Sequence, residues 1–203
     1  MNAKSENSSI LIEPIGKPIA FKEWAVVVEA IQRGEQSVLL RKGGISEGRL
    51  GFEWQGSSFF LFPTQFHVQP EKVKPTDDGN VREWEVPPIH SETISFSVFI
   101  QPLASGRLVD WESVAKLDPF HIWTEETIRE RYEWGDEPGI SWSVVRAFVL
   151  PKAWKLHDRK SFGGCRSWIS LPEDEGGEWR TLVQGAEEVS MPCGLPDWLL
   201  EKA

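Results

Sequence analysis

The sequence is poor in the residues from which stapled or reactive sites are usually built. Its 203 residues hold two cysteines, Cys165 and Cys193, and two methionines. The four histidines, His67, His90, His121 and His157, are scattered, and neither Cys-x-x-Cys nor His-x-x-x-His spacing occurs. Structural zinc needs thiolates and imidazoles at such spacings, so neither a metal nor a cofactor is expected. Two cysteines without an export signal give little reason to expect a disulfide. No Gly-x-Ser-x-Gly elbow and no phosphate loop of the Gly-x-x-x-x-Gly-Lys-Ser/Thr type is present. No apolar run approaches the length of a membrane span. The polar start, Met1 to Ser9, lacks the basic-then-apolar order of a secretory signal. The expectation is a cytoplasmic protein with no membrane partner.

Positive charge is scarce as well. Twenty-two Lys and Arg against 31 Asp and Glu leave a formal charge of −9. That opposes attraction to nucleic acid over the whole surface, though not at a local basic patch. Tyrosine occurs once, but tryptophan occurs eleven times. Side chains that large belong mainly in a core, and extra ones suit an interface between copies of the chain.

Along the chain, Glu23 to Ile31 is apolar and β-branched, Arg33-Gly34-Glu35-Gln36 is a turn signal, and Ser37 to Arg41 is apolar again. This predicts a β-hairpin, with a helix as the alternative for its first arm. Gly43-Gly44 ends the second strand. Phe59-Phe60-Leu61-Phe62 predicts a buried strand stopped by Pro63, and Pro70 to Pro88 predicts a loop. Ile94, Phe96, Val98 and Ile100 alternate with serines and predict a half-buried strand before a turn at Ser105-Gly106. Asp110 and Thr124 are placed to cap short helices. Trp142 to Leu150, closed by Pro151, and Arg166 to Leu171 predict further strands. The sum is an α+β protein: one β-rich domain with an antiparallel or mixed sheet that could curl into a barrel, and about three short helices. Regular β-α-β alternation is missing, which argues against a doubly wound sheet.

Several separated strings resemble a bacterial family, the domain of unknown function 1802. They are Lys22-Glu23-Trp24, Leu40-Arg41-Lys42-Gly43-Gly44-Ile45 with Glu47, and Phe59-x-Leu61-Phe62-Pro63-Thr64 with His67. His121-Ile122-Trp123-Thr124, Arg146 and Gly164-Cys165-Arg166-Ser167-Trp168 follow in order. The resemblance covers roughly 20–172, leaving 1–19 as an N-terminal arm and 173–203 as an acidic C-terminal tail with short helical pieces. Val68 follows His67 where the family pattern has Gln. The family carries no assigned activity. Fusions of its relatives to restriction-endonuclease-like domains imply a role in restriction or DNA defence. The stretch from Ala25 to Gly44 also resembles the start of a Nudix domain, but the acidic metal-binding helix of that family is absent.

Three kinds of function stay open at this level. The first is a module that binds nucleic acid or another anion. Its candidate ligands are Arg41, Lys42, Gly43, Gly44, Thr64, His67, Arg146, Arg159, Lys160, Arg166 and Trp168. Cations hold phosphates, and Trp168 or Trp154 stacks a base. Arg41-Lys42-Gly43-Gly44 suits an anion because glycines let backbone N–H groups approach it. The stretch from Lys152 to Arg166 interleaves cations with aromatics. The second is a small-molecule enzyme using Lys22, Glu23, Glu47, His67 and Cys165 around one pocket. The third is an oligomeric interaction protein. Asp158-Arg159-Lys160 matches the carboxylate-x-Lys part of a restriction-nuclease site, but so short a triplet arises readily by chance among 31 acids.

Overall fold

A computed structural model of the chain describes residues 16–42, 52–65, 69–75, 84, 91–173, 177–191 and 197–200. Two long strands form the spine of the sheet, β4 (Thr93–Leu108) and β5 (Ile140–His157). They pair antiparallel from Thr93↔His157 to Leu108↔Ile140, with register shifts between Phe96 and Val98 and between Pro102 and Ala104. Such shifts bend a strand and increase its twist. On one side of the pair lie β3 (Phe59–Thr64), then β1 (Ile19–Trp24), then β6 (Trp168–Ser170). On the other side β2 (Val38–Arg41) and β7 (Glu187–Glu188) share the free edge of β5. The sheet is mixed, because β1 and β3 run parallel, and it is an open path rather than a closed barrel. It nevertheless curls until its edges touch. Arg41 of β2 donates a hydrogen bond from Nη2 to Ser167 Oγ, beside β6, at 3.0 Å.

The predicted hairpin is not there. Ala25–Gln32 forms helix α1, and β2 pairs with β5 rather than with β1. A parallel neighbour requires a crossover of the chain, and α1 is part of the connection from β1 to β3. Ala25, Val26, Val27, Val28, Ala30 and Ile31 of the helix are all buried. Burial nearly all round removes the amphipathic period by which a helix is read, and three valines in a row then mimic a strand. The turn after α1 needs Gly34, whose φ is +78°, and a Cβ there would lie 2.5 Å from Ser190 O.

Two further boundaries move. Ser105-Gly106 is not a turn but lies within β4, and β5 runs through Pro151 to His157. Both predicted caps are in place. Asp110 Oδ1 accepts from Ser113 N–H at 2.8 Å at the start of α2 (Trp111–Ala115), and Thr124 Oγ1 accepts from Thr127 N–H at 3.3 Å at the start of α3 (Glu125–Glu133). The described residues also include α4 (Glu178–Gln184) and α5 (Asp197–Leu200).

Each face of the sheet carries a core. One gathers Phe21, Leu61, Val98, Ile100 and Trp142 with α1, α2 and α3. The other gathers Ala20, Phe60, Phe62, Phe96, Trp154 and Phe162 with Trp179, Leu182 and Val183 of α4. Trp123, Trp142, Trp154 and Trp179 are buried, as expected of the tryptophan excess, while Trp134 is 54% exposed. No helix of the described residues is long and apolar enough to cross a membrane.

Candidate nucleic-acid interface

The alternation of β1 separates two adjacent charges. Ala20 and Lys22 point to the α4 face, and Phe21 and Glu23 point to the other. Glu23 is 1% exposed. Its Oε1 accepts from Trp24 N–H at 2.8 Å. The charge facing it is Arg131, whose guanidinium lies 4.0 Å from the centre of the Trp123 ring and 5.3 Å from that of Trp24. Burial pushes Arg131 down to about 10, and Glu23 opposes that fall. Glu23 therefore compensates a buried cation and belongs to the architecture of that core. An unpaired charge there would be costly.

Lys22 faces outward instead. Its Nζ donates to Gly164 O at 2.9 Å and lies 5.7 Å from the centre of the Phe62 ring. Partial burial, then the charge of Arg166, holds its pKa below the ordinary lysine value. Lys22 lines a groove of about 640 Å³ at the carboxyl ends of the parallel pair β1 and β3. Thr64, Arg159 and Lys160 line the same groove. Phe62 and Phe162 form its floor, with Thr93 and Ser95 of β4 along one side. A second groove of about 410 Å³ adjoins it through Pro63 and Ser95 and reaches Glu29 and Arg33 of the α1 end. The volumes suit a small organic group.

Arg159 and Lys160 come from the short 3₁₀ turn after β5, which is anchored on both sides. Asp158 N–H donates to Glu92 O at 2.9 Å, and Phe162 N–H to Arg159 O at 2.8 Å. Cys165 and Arg166 lie in the exposed segment before β6, and Arg166 is close enough to Lys22 for its charge to act on it. The thiol of Cys165 is exposed. Three cations thus line the groove, Lys22, Arg159 and Lys160, and the charge of Arg166 reaches the first of them.

Other sequence candidates are engaged elsewhere. Lys42 Nζ donates to three carbonyls, Tyr132 O at 2.9 Å, Glu137 O at 2.7 Å and Gly139 O at 3.0 Å. An ammonium has three protons, so it pins the end of α3 and has none left for an anion. Arg41 bonds Ser167 and lies 5.4 Å from the centre of the Phe21 ring, at the seam of the curled sheet. Arg146 forms a forked pair with Glu188 of β7, at 2.6 and 2.5 Å. Trp168 Nε1 donates to Glu53 O, and Phe21, Phe52, Phe59 and Trp54 surround its ring. Trp154 is 2% exposed. Trp154 has no face to offer a base, and the half-buried ring of Trp168 is packed among four aromatics. Thr64 Oγ1 donates to Glu23 O at 3.0 Å.

Gly43, Gly44, Glu47 and His67 lie outside the described residues, and with them the acid and histidine of the enzyme reading. Sequence reasoning missed the groove's polar wall of Thr93 and Ser95, although the serine alternation in β4 already marked one side of that strand as polar. It also missed that Asp158, treated only as part of a nuclease triplet, lines the same groove. Among the described residues no cluster of three or more His, Cys, Asp or Glu is placed to hold a metal.

Residues 20–188 match the model of a family described as Domain of unknown function (DUF1802). No curated protein matches the chain. Among solved structures the chain is similar to ASCH from Zymomonas mobilis, at 14% identity over 84% of this chain and 96% of that one, with a TM-score of 0.47. It is likewise similar to a serine-to-alanine mutant of that protein, at 14% identity over 86% of this chain and 100% of the other, with a TM-score of 0.49.

Proposed function

The chain belongs to the DUF1802 family, and we propose that it is a nucleic-acid binding module which holds the phosphates of a single strand along the Lys22 groove. The observation that carries this reading is the gathering of Lys22, Arg159 and Lys160 in one groove, with the charge of Arg166 reaching Lys22, on a chain whose formal charge is −9. Against that background a local cationic surface attracts a polyanion and little else binds it elsewhere. Duplex readout uses a protruding helix or ribbon that enters a groove of the DNA. Here the cations line a concavity of the protein, which suits a strand that enters it. The defence setting implied by the family resemblance makes DNA the first ligand to test.

The test is a fluorescence-anisotropy titration of a labelled single-stranded oligonucleotide at 50 and 200 mM salt. Three to four phosphate contacts predict a slope of log K against log salt of about −2 to −3, a loss of about 20- to 50-fold over that range. Absence of binding at 50 mM salt, or binding indifferent to salt, overturns the proposal. A matching duplex is expected to bind more weakly than the single strand.

A further inference from the structure

The groove holds one carboxylate among its cations, Asp158. A surface built only to hold phosphate has no use for it, since like charges repel. Nor is it spent on the cations beside it. Its Oδ1 accepts from Arg159 N–H at 2.8 Å, and among the described residues it makes no ion pair within 4 Å. That hydrogen bond orients the carboxylate, and the bond from Asp158 N–H to Glu92 O fixes its backbone. The charge of Asp158 also reaches Lys22, where it opposes the effect of Arg166. The exposed carboxylate is therefore oriented at the wall of the groove.

A fixed acceptor-only group in such a place needs a donor on the ligand. Bases supply donors on their edges, and carboxylates accept from them. The four bases differ in what they present on the pairing edge. Guanine offers two adjacent donors, N1–H and the N2 amino group, which match the two oxygens of one carboxylate. Cytosine and adenine each offer one amino group beside an acceptor nitrogen. Thymine and uracil offer one N–H between two carbonyls, and both carbonyls would face the negative charge. The Thr93 and Ser95 side chains are rotatable hydroxyls that accept or donate as the ligand requires.

We infer that Asp158 is the specificity-determining residue of the groove, accepting the pairing-edge N–H groups of an unpaired guanine whose flanking phosphates rest on Lys22, Arg159 and Lys160. This rests on the reading of the groove as a single-strand site, and the test separates the two. A labelled twelve-residue oligothymidylate is titrated beside the same oligonucleotide carrying one central guanine, with the wild type and with Asp158→Asn. The wild type is expected to bind the guanine-containing strand about tenfold more tightly, the lower range for a two-point base contact. In Asp158→Asn that ratio falls towards one while affinity for plain oligothymidylate rises, because a charge that repels phosphate has gone. Equal binding of both strands by the wild type overturns the role of Asp158 and leaves the phosphate reading standing. A guanine preference that survives in Asp158→Asn also overturns it. Failure of both strands to bind at low salt overturns both. Asp158→Ala, with thermal unfolding as a check that it folds, is expected to repeat the loss of preference.

Discussion

Lys22 and Lys42 sit in closely matched positions, one in β1 and the other one residue beyond β2. Both are half-buried, and both are held below the ordinary lysine value by burial first and by a neighbouring arginine second, Arg166 for Lys22 and Arg107 for Lys42. Their hydrogen bonds set them apart. Lys42 gives its three protons to three carbonyls around the end of α3, while Lys22 gives one to Gly164 O and turns the rest of its ammonium towards a groove. A lowered pKa therefore does not distinguish a structural cation from a ligand-facing one. The count of protons already committed does.

The largest expected effect falls on the structural side of this comparison. Lys42→Met keeps the apolar stem and removes the ammonium. Hydrogen bonds from a charged donor contribute about 1.5–3 kcal/mol, and water can reach the partly exposed carbonyls left behind. A loss of about 2 kcal/mol in urea unfolding is expected, with single-strand affinity unchanged once the protein is folded. A stable Lys42→Met variant that no longer binds would return Lys42 to the binding face and end the comparison.

The complementary change is Lys22→Met. Stability is expected to move by less than about 1 kcal/mol, since one hydrogen bond to an exposed carbonyl goes. Affinity for a single strand is expected to fall about tenfold at 50 mM salt, equivalent to about 1.4 kcal/mol. The pH dependence has a definite sign. Burial and Arg166 lower the pKa of Lys22, so as pH rises its charge is lost before that of an ordinary lysine. Affinity should decline on the alkaline side before ordinary lysines titrate, and Lys22→Arg should carry binding to higher pH. An anisotropy series from pH 7 to 10 that is flat for the wild type, or identical in the two proteins, removes Lys22 from the contact set.

Local features of this fold were legible in the sequence, and distant ones were not. The caps at Asp110 and Thr124 and the alternation from Ile94 to Ile100 were readable because each depends on residues within one turn or one strand. The groove cations Arg159 and Lys160 were also visible, as a cluster in sequence with Arg166. What hid the rest was separation along the chain. The carbonyls that bind Lys42 lie 90 to 97 residues away, and Ser167 lies 126 residues from Arg41. Burial misled in two ways. It erased the helical period of α1, and it enclosed Trp154, which neighbouring cations in the sequence otherwise advertise as a stacking platform. Pro151 did not stop β5, although a proline cannot donate to a ladder; the strand runs on beyond it to His157.

The smallest effect tests the same rule on an arginine. Arg146 looked like a phosphate ligand in the sequence, but Glu188 accepts from its Nε and Nη2, and Gln101 Oε1 accepts from its Nη1. The hydrogen bond from Arg146 is the main cause holding the Glu188 carboxyl below its ordinary value. A depressed carboxylate contributes stability above the unfolded pKa, about 4.3, and that contribution disappears as pH falls through the lower folded value. Glu188 is about half exposed, so solvent limits the gain to a few tenths of a kcal/mol, at most about 1. Glu188→Gln should therefore be slightly less stable than the wild type at pH 7, and the two unfolding curves should converge as pH falls through the lowered folded value of Glu188. The same substitution frees Arg146 without moving it from β5. If committed donors are what keep a cation out of binding, and if Arg146 stands too far from the Lys22 groove to reach the strand held there, single-strand affinity should stay unchanged in Glu188→Gln. A gain in affinity and a steeper salt slope would instead show the released guanidinium reaching the strand, and would extend the binding face across the sheet to β7.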